Sequence, residues 1–174
     1  MLFDLREILN QPGKSLPFLF SLDQSGLELY GEKPVKAPVR CAGQVRNTGG
    51  ALELTGDADG ELETQCARCL KPLVVPLEVP VDTLLAEELE NEESEDEIVL
   101  LKDGHVDLDE VFTTAFLFAM EPRYLCSEEC KGLCDKCGAD LNEGPCGCKP
   151  ELDPRFAPLA KLLDNGPEEN GSGK

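Results

Sequence analysis

Three features of the chain predict an α+β fold: an antiparallel β-sheet or partly open barrel, one or two helices, and a C-terminal Cys-rich zinc module. Apolar alternation at strand period recurs between turn signals over the first half of the 174 residues. One run at helical period follows near 108–120. Eight of the nine cysteines fall into metal-ligand spacings, six of them in the 23 residues from Cys126 to Cys148.

Leu16, Phe18, Phe20 and Leu22 alternate; Ser25-Gly26 interrupts, and Leu27 and Leu29 resume. Val35, Ala37, Val39, Cys41, Gly43 and Val45 alternate over a longer run, closed by the turn signal Asn47-Thr48-Gly49-Gly50. Leu52 and Leu54 restart the pattern, Asp57 to Gly60 reads as another break, and Leu62, Thr64 and Cys66 lead into the first cysteine pair. After Pro72, the residues Leu73, Val75, Leu77, Val79 and Val81 share one face. Pro76 and Pro80 fall on the other face, which predicts an edge or bulged strand.

Residues 86–97 carry eight carboxylates and read as a solvated loop, with a docking segment for a basic partner as the sharper reading. Ile98 to Leu101 reads as a short buried strand. Asp107 is placed as a helix N-cap, with Glu110 three residues on as in a capping box. Leu108, Val111, Phe112, Ala115, Phe116 and Ala119 then line one helical face, and Pro122 ends it. Asp153-Pro154 starts a last short helix with Phe156, Leu159, Leu162 and Leu163 on its apolar side. The expected organisation is a β-rich domain over 1–122, a zinc-binding module with its helix over 123–163, and a disordered tail over 164–174.

Composition narrows the function. The formal charge is 16 − 35 = −19. Two tetrathiolate zinc sites of about −2 each would lower it to about −23. Nucleic-acid affinity comes from Lys/Arg neutralising phosphates. The chain as a whole therefore repels RNA and attracts basic partners. No run of 18 apolar residues predicts a membrane span, and Met1 to Glu7 does not open a secretory signal. Both place the protein in a reducing cytoplasm, where clustered cysteines read as metal ligands rather than disulfides.

Cys134-Asp135-Lys136-Cys137-Gly138 has the form of a zinc knuckle, because glycine after the second cysteine allows φ > 0 and aims amide N–H groups at the sulfurs. Cys146-Gly147-Cys148 could close that site, although one intervening residue departs from the usual two. Cys66-x2-Cys69 and Cys126-x3-Cys130 each need two more ligands, and together they make a second four-cysteine site. The rival grouping keeps six cysteines of 126–148 around one or two ions and leaves Cys66 and Cys69 as plain thiols. Zinc is the expected metal, as two structural ions; iron also accepts a tetrahedral thiolate set. A thioredoxin-like role for Cys66 and Cys69 lacks the helix that activates such a thiol. Cys41 reads as a small buried hydrophobe. His105, the only histidine, reads as an exposed turn residue. No nucleophile–base pair or phosphate loop is visible, and all-cysteine sites are closed and structural, so no enzymatic activity is expected.

At these residues the chain resembles the YceD family, the large ribosomal RNA subunit accumulation proteins. Cys66-Ala67-Arg68-Cys69-Leu70 is similar to its mid-chain signature. Cys126-x3-Cys130-Lys131-Gly132-Leu133-Cys134-x2-Cys137-Gly138-x2-Leu141-Asn142, then Cys146-x-Cys148, is similar to its C-terminal one. Asp153-Pro154-Arg155 resembles its ending. The resemblance implies a role in making or keeping large-subunit (23S) rRNA. It also implies that the Cys134/Cys137/Cys146/Cys148 site is an accessory to the other, since some members look as if they lack those four. A ribosomal protein or pre-50S particle is the expected partner. Direct rRNA contact through Arg68, Lys71, Arg123, Lys131 and Lys136, or a zinc- or redox-responsive regulator, are the alternatives.

Overall fold

A computed structural model describes residues 1–29, 31–49, 51–88 and 98–148. The helix expected from Asp153, the tail over 164–174 and most of the acidic run lie outside these residues. The chain divides into two compact units, Met1–Cys130 and Lys131–Lys174.

The first unit is built on an open five-stranded sheet with spatial order β2-β3-β4-β5-β6. The strands are β2 (Ser15–Leu22), β3 (Val39–Asn47), β4 (Leu52–Gln65), β5 (Pro72–Ala86) and β6 (Ile98–Leu100). All neighbours are antiparallel except β5 and β6, which pair in parallel over Leu84–Ala86, so the sheet is mixed and does not close into a barrel. A second pair joins β1 (Leu2–Asp4) to β7 (His105–Asp107). Among the described residues two helices complete the unit, α1 (Arg6–Leu9) and α2 (Leu108–Ala119).

Alternation decides the two sheet faces. Leu52, Leu54, Ala58 and Leu62 of β4 are buried, while Thr55, Asp57, Asp59, Glu61 and Glu63 are exposed. The inner face meets α2 through aromatic edges. Phe112 packs T-shaped on Phe18 and Phe20, with centroids 5.6 Å apart in both cases. Asp107 caps α2 by accepting the Asp109 N–H at 3.1 Å, and the Met1 ammonium bonds the same carboxylate.

The break expected at Asp57–Gly60 is absent: β4 runs through it unbroken. Gly56 and Gly60 both point inward. A Cβ on Gly56 would meet the Ala42 carbonyl oxygen at 2.5 Å and the Phe18 ring at 3.2 Å, and one on Gly60 would meet Phe116 at 3.0 Å. These glycines are seats for aromatic rings rather than turn residues. Gly43, paired with Gly56, leaves the same gap beneath Phe18.

Other differences are local. Leu29 makes only a bridge to Glu32, not a strand. The run from Val35 becomes a strand only at Val39. His105 is half-buried at the start of β7, with Nε2 3.8 Å from an Asp4 carboxylate oxygen, rather than in an exposed turn. Asn47, read as part of a turn, ends β3 and is buried; its amide donates to the carbonyls of Ile8 and Leu9 at the end of α1. Among the described residues no helix is long and apolar enough to cross a membrane.

Candidate metal centres

The hairpin joining the two longest strands, β4 and β5, turns on Cys66 to Lys71. This turn is a knuckle. The Leu70 N–H donates to the Cys66 carbonyl at 2.9 Å, and the Cys66 N–H to the Lys71 carbonyl at 2.8 Å. The same geometry recurs in the second unit, where Gly138 N–H donates to the Cys134 carbonyl at 2.9 Å and Cys134 N–H to the Ala139 carbonyl at 2.8 Å. The residue after the second cysteine is left-handed in both, φ +71° at Gly138 and +59° at Leu70. Glycine adopts this conformation freely, whereas leucine is strained there by about 1–2 kcal/mol. Reading the sequence for glycine therefore finds one knuckle and passes over the other.

The Cys66 knuckle meets the segment that follows α2. Ala67 N–H donates to the Tyr124 carbonyl at 2.8 Å, and Cys66 bridges Tyr124. Cys66 Sγ then lies 3.8 Å from Cys130 Sγ, and Cys69 Sγ 3.6 Å from Cys126 Sγ. A tetrahedral centre with metal–sulfur bonds of about 2.3 Å has sulfur–sulfur edges of about 3.8 Å. The observed separations fit that tetrahedron and lie far beyond a covalent S–S bond of about 2.05 Å. All four sulfurs fall within 4.8 Å of one another, as do those of Cys134, Cys137, Cys146 and Cys148. Each set could hold one metal ion. The fold thus assembles four and four, not a six-cysteine cluster with Cys66 and Cys69 apart.

Electrostatics within each set are uneven. Backbone N–H groups, that of Cys126 foremost, hold the Cys66 thiol down to about 6. Those of Cys137 and Lys136 hold Cys134 down to about 7. The sulfurs of Cys130 and Cys69 push Cys126 up to about 12, and the sulfur of Cys137 does the same to Cys148. Four thiolates this close repel one another, so the full set ionises only around a cation. Cys41 stands apart from both sets; burial pushes its thiol up to about 11, and it packs as a hydrophobe.

Arg68, between the two cysteines, carries a role that spacing does not reveal. Its Nη1 donates to the carbonyls of Glu128 at 3.0 Å and Cys130 at 2.8 Å. It therefore ties the two halves of the first centre together behind the sulfurs. The other cations read as an RNA patch are divided, Lys71 and Arg123 in the first unit and Lys131 and Lys136 in the second. The second unit is tied locally: Asn142 Oδ1 accepts the Lys131 N–H at 2.8 Å, and Leu141 N–H donates to the Gly132 carbonyl.

The family model of the large ribosomal RNA subunit accumulation protein YceD matches residues 54–163, which begin inside β4 and take in all eight clustered cysteines. The chain belongs to the YceD family. Membership implies a role in the accumulation of large-subunit ribosomal RNA. An uncharacterized protein of Mycobacterium tuberculosis is 26% identical over 172 residues, covering 97% of this chain and 77% of its own length. One of Mycobacterium leprae is 26% identical over 176 residues, covering 94% and 77%. A chloroplastic YCED homolog 1 of Arabidopsis thaliana, named for large ribosomal RNA subunit accumulation, is 40% identical over 48 residues, or 27% of this chain and 15% of the plant protein. No solved structure matches the chain.

Proposed function

We propose that this YceD-family chain is a zinc-binding assembly factor of the large ribosomal subunit that works in the cytoplasm by holding a basic ribosomal protein or a pre-50S particle. The observation that carries the reading is the formal charge of −19 in a family defined by rRNA accumulation. A chain this acidic repels bare rRNA and attracts the cationic proteins that rRNA must receive. Zinc in each centre would supply a structural staple with four thiolates and no open coordination position, which fits a non-catalytic role. Cys66, Cys69, Cys126 and Cys130 would hold one ion, and Cys134, Cys137, Cys146 and Cys148 the other. The alternative of direct RNA binding through Arg68 is weakened by the engagement of its Nη1 with two backbone carbonyls.

The test is a crosslinked pulldown of the tagged protein from growing cells, with RNA and protein both read. Recovery of one basic ribosomal protein that persists after nuclease treatment is the expected result. Crosslinks to defined large-subunit rRNA positions, with no protein retained after nuclease, would sink the reading.

A further inference from the structure

The outward face of the sheet is exposed while its inner face carries the core, and its side chains form an ordered pattern. Along β4, Asp57, Asp59, Glu61 and Glu63 project from alternate positions. At about 3.3 Å per residue they sit some 7 Å apart and together span about 20 Å. Beside them on β5 lie Glu78, directly opposite Asp59, and Asp82. Aliphatic side chains flank this stripe on both sides. Leu19 of β2 is 66% exposed, and Val74 and Leu84 of β5 are 63% and 42% exposed. Pro76 and Pro80 extend the apolar margin along β5.

Two properties separate this face from an ordinary solvated surface. Like charges directly opposite in an antiparallel pair are destabilising, and Asp59 faces Glu78. Arg40 lies opposite Asp59 on its other side, and Lys36 pairs with Glu63. Among the described residues, however, Asp57, Glu61, Glu78 and Asp82 have no cation within ion-pair distance. The carboxylate spacing of two residues is also the repeat of same-side residues in any extended chain. A partner strand laid along β4 would bring every second side chain over a carboxylate, while its long aliphatic stems met the apolar margins.

We infer that the outward face of β4 and β5 docks an extended, lysine- and arginine-rich segment of a protein partner, with cations at alternate positions. The inference rests on the assembly-factor reading for the identity of the partner, but not for the surface itself. Charge complementarity fixes the class of occupant: a nucleic acid would be repelled by the same stripe.

The test uses the full, zinc-loaded chain and a fluorescein-labelled synthetic peptide in which lysine alternates with threonine or valine. Fluorescence anisotropy at about 150 mM salt compares the parent with two triple variants. One carries Asp57→Asn, Glu61→Gln and Glu78→Gln on the face; the other carries Glu28→Gln, Glu32→Gln and Glu121→Gln, equally exposed and removing the same charge elsewhere. The face variant is expected to bind about tenfold more weakly and the control less than about twofold. The face variant should melt no lower than the parent, because Glu78→Gln relieves the opposition to Asp59. Equal weakening by both variants, or no binding by the parent, overturns the inference. Recovery of a basic ribosomal protein by the face variant as well as by the parent would also overturn it, while leaving the assembly-factor reading intact. Absence of any such protein from the parent pulldown, with the peptide result as expected, would sink the functional reading and leave the surface standing.

Discussion

Replacing Cys126 and Cys130 by serine should loosen the whole first unit, although both lie after its last helix. The ligands of that centre are 64 residues apart in sequence between Cys66 and Cys130. A metal that bridges them restricts the unfolded chain as a cross-link of that length does, which is worth about 4 kcal/mol on the chain-entropy model. The buried cluster that holds Phe18, Phe20, Phe112 and Phe116 is built without the four cysteines, so the unit should still fold at 25 °C. For a unit of this size about 4 kcal/mol corresponds to a melting point lower by ~12–20 °C. Cys137→Ser with Cys148→Ser would disable the other set, whose four cysteines all lie within the second unit. It should leave the melting of the first unit unchanged within about 2 °C. The assay is thermal unfolding by circular dichroism, with amide exchange at Val45 and Leu54 reporting the sheet alone. If both pairs of substitutions lower the sheet's midpoint equally, or if Cys126→Ser with Cys130→Ser leaves it within about 3 °C of the parent, the first metal is not a clamp on the sheet.

Arg68→Ala should speed metal release from the first centre about 10–100-fold, since partners behind the ligands contribute that much to metal affinity. Chelator competition reads it, with the second centre as internal reference; an unchanged rate would remove Arg68 from the site. Leu70→Gly should stabilise the first unit by up to about 1 kcal/mol in urea unfolding, because the side chain is 59% exposed and its backbone is left-handed. Loss of stability would mean that the leucine contributes packing that outweighs its strain. Zinc binding at pH 7 should release more than one proton per ion, because two thiols of each metal-free set are held above their ordinary value by neighbouring sulfurs and burial, Cys126 and Cys69 in the first and Cys148 and Cys146 in the second. Acid then favours the protonated thiols, so affinity falls as pH is lowered. Calorimetry in two buffers of different ionisation enthalpy measures this, and identical heats would refute it.

Much of this architecture is legible in the sequence because its signals are local. The α2 face from Leu108 to Ala119 follows from a 3.6-residue period and the Asp107 cap. The cysteine spacings carry the two knuckles. What escapes depends on distant neighbours. Gly60 looks like a turn residue until Phe116 is placed over it. The β1–β7 pair joins Leu2–Asp4 to residues about a hundred positions later, and three-residue strands carry no period of their own. The same holds for α1, a single turn whose end is closed by Asn47 from β3. Arg68 is visible as a charge, but its two carbonyl partners are known only once the chain returns at Glu128 and Cys130.

The separation of the first centre's ligands also sets a clock during synthesis. At ~5–20 residues per second, roughly 3–13 s pass between the addition of Cys66 and that of Cys130. Throughout that interval Cys66 and Cys69 would offer a metal only half a coordination sphere, open to any thiophilic ion or oxidant that arrives. Cys134 to Cys148, all within the second unit, is translated within about 3 s. A metal at the second set would therefore report only on a short stretch of chain. A filled first centre certifies that β4, β5 and the segment after α2 have already found one another.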